Sequence, residues 1–316
     1  MTPKIVYVAG WSRSGSTILD RVLGAAEGWF SCGELRLVWG GTHCTCGEQA
    51  FDCPVWRPAL TSALAEHRLD REGVLALRRR WQGSDLRSLL EIARASRRRA
   101  GTPLLRYAAL IRELYVEIAA SAGARVIVDS SKAPQDGFVA ASLTGLETHV
   151  VHLVRDPRGV AFSLSRRRAV LPWTNLELER MSPARSSSYW LRRNAAIEAI
   201  LGPQRSDMHT RVKYEDFARE PDRVVGTIRA LVGEPAAHPA LTGERLELPA
   251  SHMVGGNPVR FADQVAIRPD LEWTARMGAR ARLAATLPAL PLMPRYGYRM
   301  IRPARAAPTG GATPST

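Results

Sequence analysis

Short apolar runs alternate with amphipathic stretches along most of this chain. Residues 4–9 (KIVYVA) are apolar and β-branched with no polar alternation, the pattern of a strand buried on both faces. Ile18, Leu19, Val22 and Leu23 then fall at helical spacing. Residues 29–36 give a short extended segment opening into a loop. The buried-strand pattern returns at 125–129 (RVIVD) and 149–154 (HVVHLV), and a shorter candidate lies at 210–213. Asp156 is a good N-cap with Pro157 in the first helical position, so a helix runs through Ser163 toward Arg168. A further helix is predicted over 221–232. Strands alternating with helices predict an α/β fold, a doubly wound parallel sheet with its ligands at the strands' carboxyl ends.

Between the second and third strands the period changes. Residues 59–122 read as helical, with Leu75, Leu77, Leu86, Leu89, Leu90 and Ile92 among Arg-rich positions and an amphipathic stretch over 104–118. Gly83, Gly101 and Pro103 divide the run into several helices. Arg78-Arg79-Arg80 and Arg97-Arg98-Arg99 are expected on solvated faces, and the whole insert is expected to form the acceptor-side wall and lid. From Ser251 the chain turns loop-like, a last helix is predicted over 274–286, and the Pro-, Ala- and Gly-rich tail 303–316 is expected to be disordered. The expectation is one domain over 1–302.

Charge narrows the partners. Lys and Arg number 44 against 30 Asp and Glu, a formal charge of +14, which favours a polyanionic ligand. Zinc-finger spacing, an RNP motif and an aromatic–basic patch are all missing, so a nucleotide or an acidic substrate is expected rather than nucleic acid. No apolar run has the length of a membrane span, and the first strand starts almost at Met1, so a cytoplasmic protein without integral membrane association is expected.

The candidate chemistry begins between the first strand and first helix, at Gly10-Trp11-Ser12-Arg13-Ser14-Gly15-Ser16-Thr17. A strand, a glycine-rich turn and a helix N-terminus together make an anion site. Ser14, Ser16 and Thr17 add hydroxyls, and Arg13 adds a cation that can hold two oxygens at once. A nucleoside triphosphate P-loop would carry lysine after its last glycine; here Ser16 follows Gly15, and the cation comes earlier. This loop resembles the 5′-phosphosulfate loop of sulfotransferases that use 3′-phosphoadenosine 5′-phosphosulfate (PAPS), in particular the Arg-Ser-Gly-Thr/Ser-Thr form of carbohydrate and tyrosylprotein sulfotransferases. The resemblance extends over residues 4–36, 126–168 and 210–261.

It implies roles residue by residue. In Leu153-Val154-Arg155-Asp156-Pro157, Arg155 and, eight positions on, Ser163 match the pair that holds the donor's 3′-phosphate. Tyr214 is similar to the tyrosine beside the adenine. Arg260, in Gly255-Gly256-Asn257-Pro258-Val259-Arg260, lies where relatives place a glycine-rich basic loop over the 3′-phosphate, although the pattern differs from Arg-Lys-Gly. Lys132 resembles the lysine of a Lys-Asp-Pro segment, with Ala133 replacing the aspartate. Cys32-Gly33-Glu34-Leu35-Arg36 is similar to a Cys-Gly-Glu-Glu-Thr-Arg segment, which makes Glu34 the catalytic base and Arg36 the substrate-side arginine. His252 is the alternative base. Burial is expected to raise the Glu34 pKa toward the working range.

Sulfuryl transfer needs an oriented acceptor hydroxyl, a base for its proton and cations on the bridging oxygen. The implied reaction carries sulfate from PAPS to a small-molecule or glycoconjugate hydroxyl, leaves adenosine 3′,5′-bisphosphate (PAP), and requires no metal. The other readings open at this point are a metal-dependent P-loop kinase or NTPase and a non-enzymatic basic nucleotide-binding module. His43, Cys44, Cys46 and Cys53 form a compact Gly/Cys stretch whose Cys-x-Cys spacing is tighter than that of ordinary structural zinc sites. A packed loop covering the active site is the expectation there; zinc ligation and a Cys46–Cys53 disulfide are the alternatives.

Overall fold

In the computed structural model, which describes residues 2–79, 102–166, 180–202, 206–234 and 246–300, the apolar runs meet in one parallel sheet. Its strands are β1 (Lys4–Gly10), β2 (Trp29–Gly33), β3 (Val126–Lys132), β4 (Thr148–Val154) and β5 (His209–Lys213), in the order β2-β3-β1-β4-β5. Alternate side chains of the strands serve two cores. Ile5, Tyr7, Ala9 and Ile127 enter one, while Val6, Val8, Val126 and Val128 enter the other. Each fully buried aliphatic side chain contributes about 1.5–3 kcal/mol.

The first connection, α1 (Ser16–Gly24), covers one face and leads to β2. The insert then supplies α2 (Trp56–Glu66), α3 (Arg71–Arg79) and α4 (Pro103–Ala122). The break between α2 and α3 falls at Arg68, which takes a left-handed φ of 49°, a boundary with no glycine or proline to announce it. Pro103 opens α4, dividing the run as expected, with the Thr102 hydroxyl accepting from the Leu105 N–H at 3.3 Å. Leu104, Leu110, Leu114 and Ile118 of α4 pack with Trp56, Leu60 and Ala63 of α2 in the first core. Gly83, the leucines at 86, 89 and 90, Ile92, Gly101 and the arginines at 80 and 97–99 lie outside the described residues, as do Arg168 and the tail.

Arg78 departs from the expectation of a solvated face. It is buried, its Nη2 lies 3.6 Å from Asp136, and its Nη1 donates to the Arg36 carbonyl. Arg79 beside it is exposed, as expected.

After β3 come α5 (Pro134–Phe138) and a π-turn (Val139–Leu143); after β4 come α6 (Pro157–Arg166) and α7 (Pro183–Leu201). Asp156 caps α6 as expected, accepting from the Arg158 N–H at 2.9 Å. Helix α7 has no counterpart in the hydrophobic pattern, because it buries Ser186, Ser187 and Asn194 along with its few apolar residues. Its start is nonetheless written in Ser182-Pro183, a capping hydroxyl before a first-position proline. The fold continues through α8 (Tyr214–Arg219), α9 (Pro221–Val232) and a two-stranded antiparallel ribbon of β6 (Leu246–Glu247) and β7 (Gln264–Val265). The predicted last helix is two, α10 (Glu272–Arg276) and α11 (Ala279–Ala289), separated at Met277-Gly278.

The topology locates the binding crevice. From β1 the chain crosses to β2 on one side, and from β4 it crosses to β5 on the other. The neighbours β1 and β4 therefore splay their following loops apart at their carboxyl ends, where open α/β sheets take ligands.

Candidate active site

The loop after β1 turns tightly enough to need both its glycines. A Cβ on Gly10 would lie 2.6 Å from the Leu153 carbonyl oxygen, and one on Gly15 2.6 Å from Tyr214 Cδ2. Gly15 has φ +90° and forms the N-cap of α1, leaving the first amides of the helix without a side-chain cap. Arg13 is left-handed at φ 63° and donates from Nε to Ser163 Oγ at 3.0 Å. Arg155 Nη1 donates to the Arg13 carbonyl at 2.9 Å. The two candidate anion motifs, some 140 positions apart, are thus hydrogen-bonded to one another. Ser16 and Thr17 line the cavity, whereas the Ser14 hydroxyl turns inward and donates to the Trp11 carbonyl at 2.6 Å.

On the β4 side Arg155 is almost fully buried. Its guanidinium lies 4.4 Å from the centre of the Tyr214 ring, and Nη2 reaches Asp270 Oδ2 at 2.9 Å. The Asp270 N–H in turn donates to the Tyr214 hydroxyl at 3.2 Å. Asp270 has no motif around it, so nothing in the sequence marks it as a partner of Arg155.

Across the cavity, at the ends of β2 and β3, Glu34 sits between two cations. Its Oε1 lies 2.5 Å from Lys132 Nζ, and its Oε2 accepts from Arg36 Nη2 at 3.0 Å. Lys132 is also left-handed, at φ 66°. The Arg36 N–H donates to Ser131 Oγ at 3.1 Å, which ties β3 to the turn after β2. Burial alone would raise the Glu34 pKa; the charges of Lys132 and Arg36 and their hydrogen bonds outweigh it and hold the carboxyl below its ordinary value. The expected upward shift is therefore reversed, because Lys132 from the neighbouring strand end meets one oxygen and Arg36 from the turn that carries Glu34 meets the other.

The loop after Ser251 closes the same side. The Glu34 N–H donates to the Val254 carbonyl at 2.7 Å, and the Asn257 N–H donates to Thr17 Oγ1 at 3.2 Å. Arg260 is buried against Phe261, donates from Nη2 to the His43 carbonyl at 3.3 Å, and keeps a buried Nε with no partner among the described residues.

These groups surround one cavity of about 690 Å³. Arg13, Ser16, Thr17, Glu34, Arg36, Lys132, Arg155, Ser163, Tyr214 and Arg260 all line it. His252 does not; it borders a second, smaller cavity, and its Nδ1 lies 3.2 Å from Cys53 Sγ. All four cysteines are free thiols, so Cys46 and Cys53 form no disulfide. None of the described residues between 59 and 122 lines the main cavity, and the insert supports it from behind, through Arg78 and the Arg36 carbonyl. The cavity is lined as well by residues the sequence did not single out, among them Leu37, Thr42 and Arg193, and by His43.

A buried acid braces this arrangement. Asp20 of α1 accepts from Ser31 Oγ of β2 and Ser130 Oγ of β3, each at 2.5 Å. Burial pushes its pKa up to about 7 against the pull of the two serines, and burial likewise pushes Asp129 up to about 6. The native state thus holds protons that the unfolded chain releases near pH 3.8, so stability present below that pH declines as pH rises toward 7. For Asp20 alone the difference is on the order of 4 kcal/mol. Asp20→Asn should flatten the fall in urea midpoint between pH 5 and pH 8 and raise the midpoint at pH 8. An unchanged slope would mean that Asp20 stays ionised in the fold.

With this geometry in place, comparison with known proteins gives a consistent result. The family model described as "Sulfotransferase family" matches residues 3–238. Among solved structures, the sulfotransferase domain from the Synechococcus PCC 7002 olefin synthase aligns at a TM-score of 0.54 and 21% identity, covering 94% of this chain and 96% of that one. The sulfotransferase domain from the curacin biosynthetic pathway aligns at 0.49 and 17%, covering 94% and 98%. Sulfotransferase STF1 from Mycobacterium tuberculosis aligns at 0.41 and 16%, covering 74% and 68%. At these identities the first of them supports the fold alone. No curated protein sequence matches significantly.

Proposed function

The chain belongs to the sulfotransferase family, and from that premise we propose that it transfers the sulfuryl group of PAPS to a hydroxyl of a small-molecule or glycoconjugate acceptor. The observation that carries this reading is the convergence of two hydrogen-bonded anion motifs with a carboxylate–lysine pair on one cavity. The donor set suits a nucleotide with charge at both ends. The Gly15 N-cap leaves the first amides of α1 without a side-chain cap and so open to an anion, with Arg13 alongside for the 5′-phosphosulfate. Arg155 and Ser163 take the 3′-phosphate, Tyr214 borders the adenine, and the unpartnered Nε of Arg260 offers a further donor.

In the transfer step the acceptor oxygen forms a bond to sulfur while the bond from sulfur to the bridging phosphate oxygen breaks in line. The hydroxyl proton passes to Glu34, and the electron pair of the broken bond stays on the departing phosphate, where Arg13 and Lys132 meet it. Glu34 is held ionised in the resting site by Lys132 and Arg36. As Lys132 shifts its contact toward the departing oxygen, Glu34 loses a stabilising cation and becomes the stronger base when the acceptor proton must leave. Proton transfer and charge development are coupled through one lysine. No step calls on a metal ion.

The test is calorimetric binding of PAP against ADP and ATP, with and without magnesium. Preference for PAP, unchanged by magnesium, is expected, followed by sulfate transfer from PAPS in an acceptor screen. Magnesium-dependent preference for ATP would instead favour phosphoryl transfer. Tight, steeply salt-dependent binding to nucleic acid without transfer would favour a binding module.

A further inference from the structure

Beside the catalytic cavity, and not lining it, three cysteines and a histidine converge from segments about 200 residues apart. We infer that Cys44, Cys46, Cys53 and His252 hold one structural zinc ion, which fastens the loop after Ser251 to the Cys-rich turn after β2.

The spacing of the ligand atoms carries the inference. Cys44 Sγ lies 3.6 Å from Cys53 Sγ and 3.6 Å from His252 Nδ1; Cys53 Sγ lies 3.2 Å from the same nitrogen. With Cys46 included, all four ligand atoms fall within 4.8 Å of one another. A tetrahedral zinc with ordinary Zn–S and Zn–N bonds sets its ligands about 3.6–3.8 Å apart. A disulfide would need sulfurs about 2.05 Å apart. Three thiolates and an imidazole are a common structural zinc set, and soft sulfur ligands select against magnesium and calcium.

The backbone N–H groups of Val55 and Trp56 face the Cys53 sulfur, and that of Cys46 faces the Cys44 sulfur. Hydrogen bonds hold the two segments in register around the cluster. The Thr45 N–H donates to the Met253 carbonyl and the Met253 N–H to Thr45 Oγ1, both at 3.0 Å, and Trp56 Nε1 donates to the His252 carbonyl. Cys44 also bridges Val254, the residue whose carbonyl accepts from the Glu34 N–H. Four protein ligands close the coordination shell, which marks the ion as structural rather than catalytic. The Cys44-x-Cys46 spacing is tighter than that of ordinary structural zinc sites, but the fourth ligand is not the adjacent His43. His252 supplies the imidazole from the far end of the chain.

The experiment uses the full chain purified without metal-chelating resin, with metal measured by plasma mass spectrometry and cysteine state by intact mass and thiol titration. About one zinc per chain is expected, with loss of bound zinc in Cys44→Ser and Cys53→Ser. If those variants fail to fold, the wild-type protein is stripped by chelator under reducing conditions and refilled with cobalt. Tetrahedral cobalt–thiolate absorption, and a melting temperature lowered by stripping and restored by zinc, then support the site. Zinc-free protein with four titratable thiols, a disulfide by mass, octahedral cobalt on refilling, or full zinc retained in folded serine variants would each overturn it.

Discussion

Glu34→Gln should lower turnover by about 10²–10⁴-fold and leave PAP affinity nearly unchanged. Glutamine keeps the size of the side chain and can still accept from Arg36, but it cannot take the acceptor's proton. Because Lys132 and Arg36 hold the carboxyl below its ordinary value, the acidic limb of the pH–rate profile for the wild-type enzyme should fall below the usual glutamate range. Protonation on that limb also removes the stability the ion pairs contribute, since a depressed carboxyl stabilises the fold above its unfolded pKa and loses that contribution as pH drops through the folded one. Lys132→Ala removes one of the two cations, so its remaining activity should show the acidic limb at higher pH. Near-normal turnover in Glu34→Gln would pass the base role to another cavity residue.

Arg155→Ala should weaken PAP binding on the order of 10²-fold, the loss expected when a buried cation making charged hydrogen bonds to a phosphate is removed. Arg155→Lys should fall between that variant and the wild type, because lysine keeps the charge but loses the planar fork and the stacking on Tyr214. Arg155 also braces the Arg13 carbonyl, so calorimetry should be paired with thermal melts. A folded Arg155→Ala that binds PAP within about threefold of wild type would place the 3′-phosphate elsewhere.

The strands, and the convergence of the loops that follow β1 and β4 on one cavity, were legible because their signals are local. A buried strand announces itself in five or six consecutive apolar residues, and Gly10 through Thr17 carries its chemistry in one turn. What escaped depends on partners distant in sequence. Arg78 sits in an arginine run that reads as solvent-facing, yet Asp136 and the Arg36 carbonyl draw it inside. Helix α7 buries serines and an asparagine, which no hydrophobic period reveals. The direction of the Glu34 shift depends on Lys132, almost a hundred positions away, reaching it at 2.5 Å. His252 joined the cysteines rather than the cavity for the same reason.

Among the described residues, three that are not glycine hold a left-handed backbone: Arg13, Arg68 and Lys132. Such a conformation costs about 1–3 kcal/mol per residue, and two of the three are the cations assigned to the departing oxygen. Glycine at either position would relax the chain and strip the site of a charge. A laboratory lineage selected only for heat resistance would therefore be drawn toward glycine at Arg13, whereas the buried ion pair with Glu34 opposes the same change at Lys132. It would arrive at a sturdier protein with nothing left to select for, and screens for improved variants of this enzyme need a turnover readout in every round.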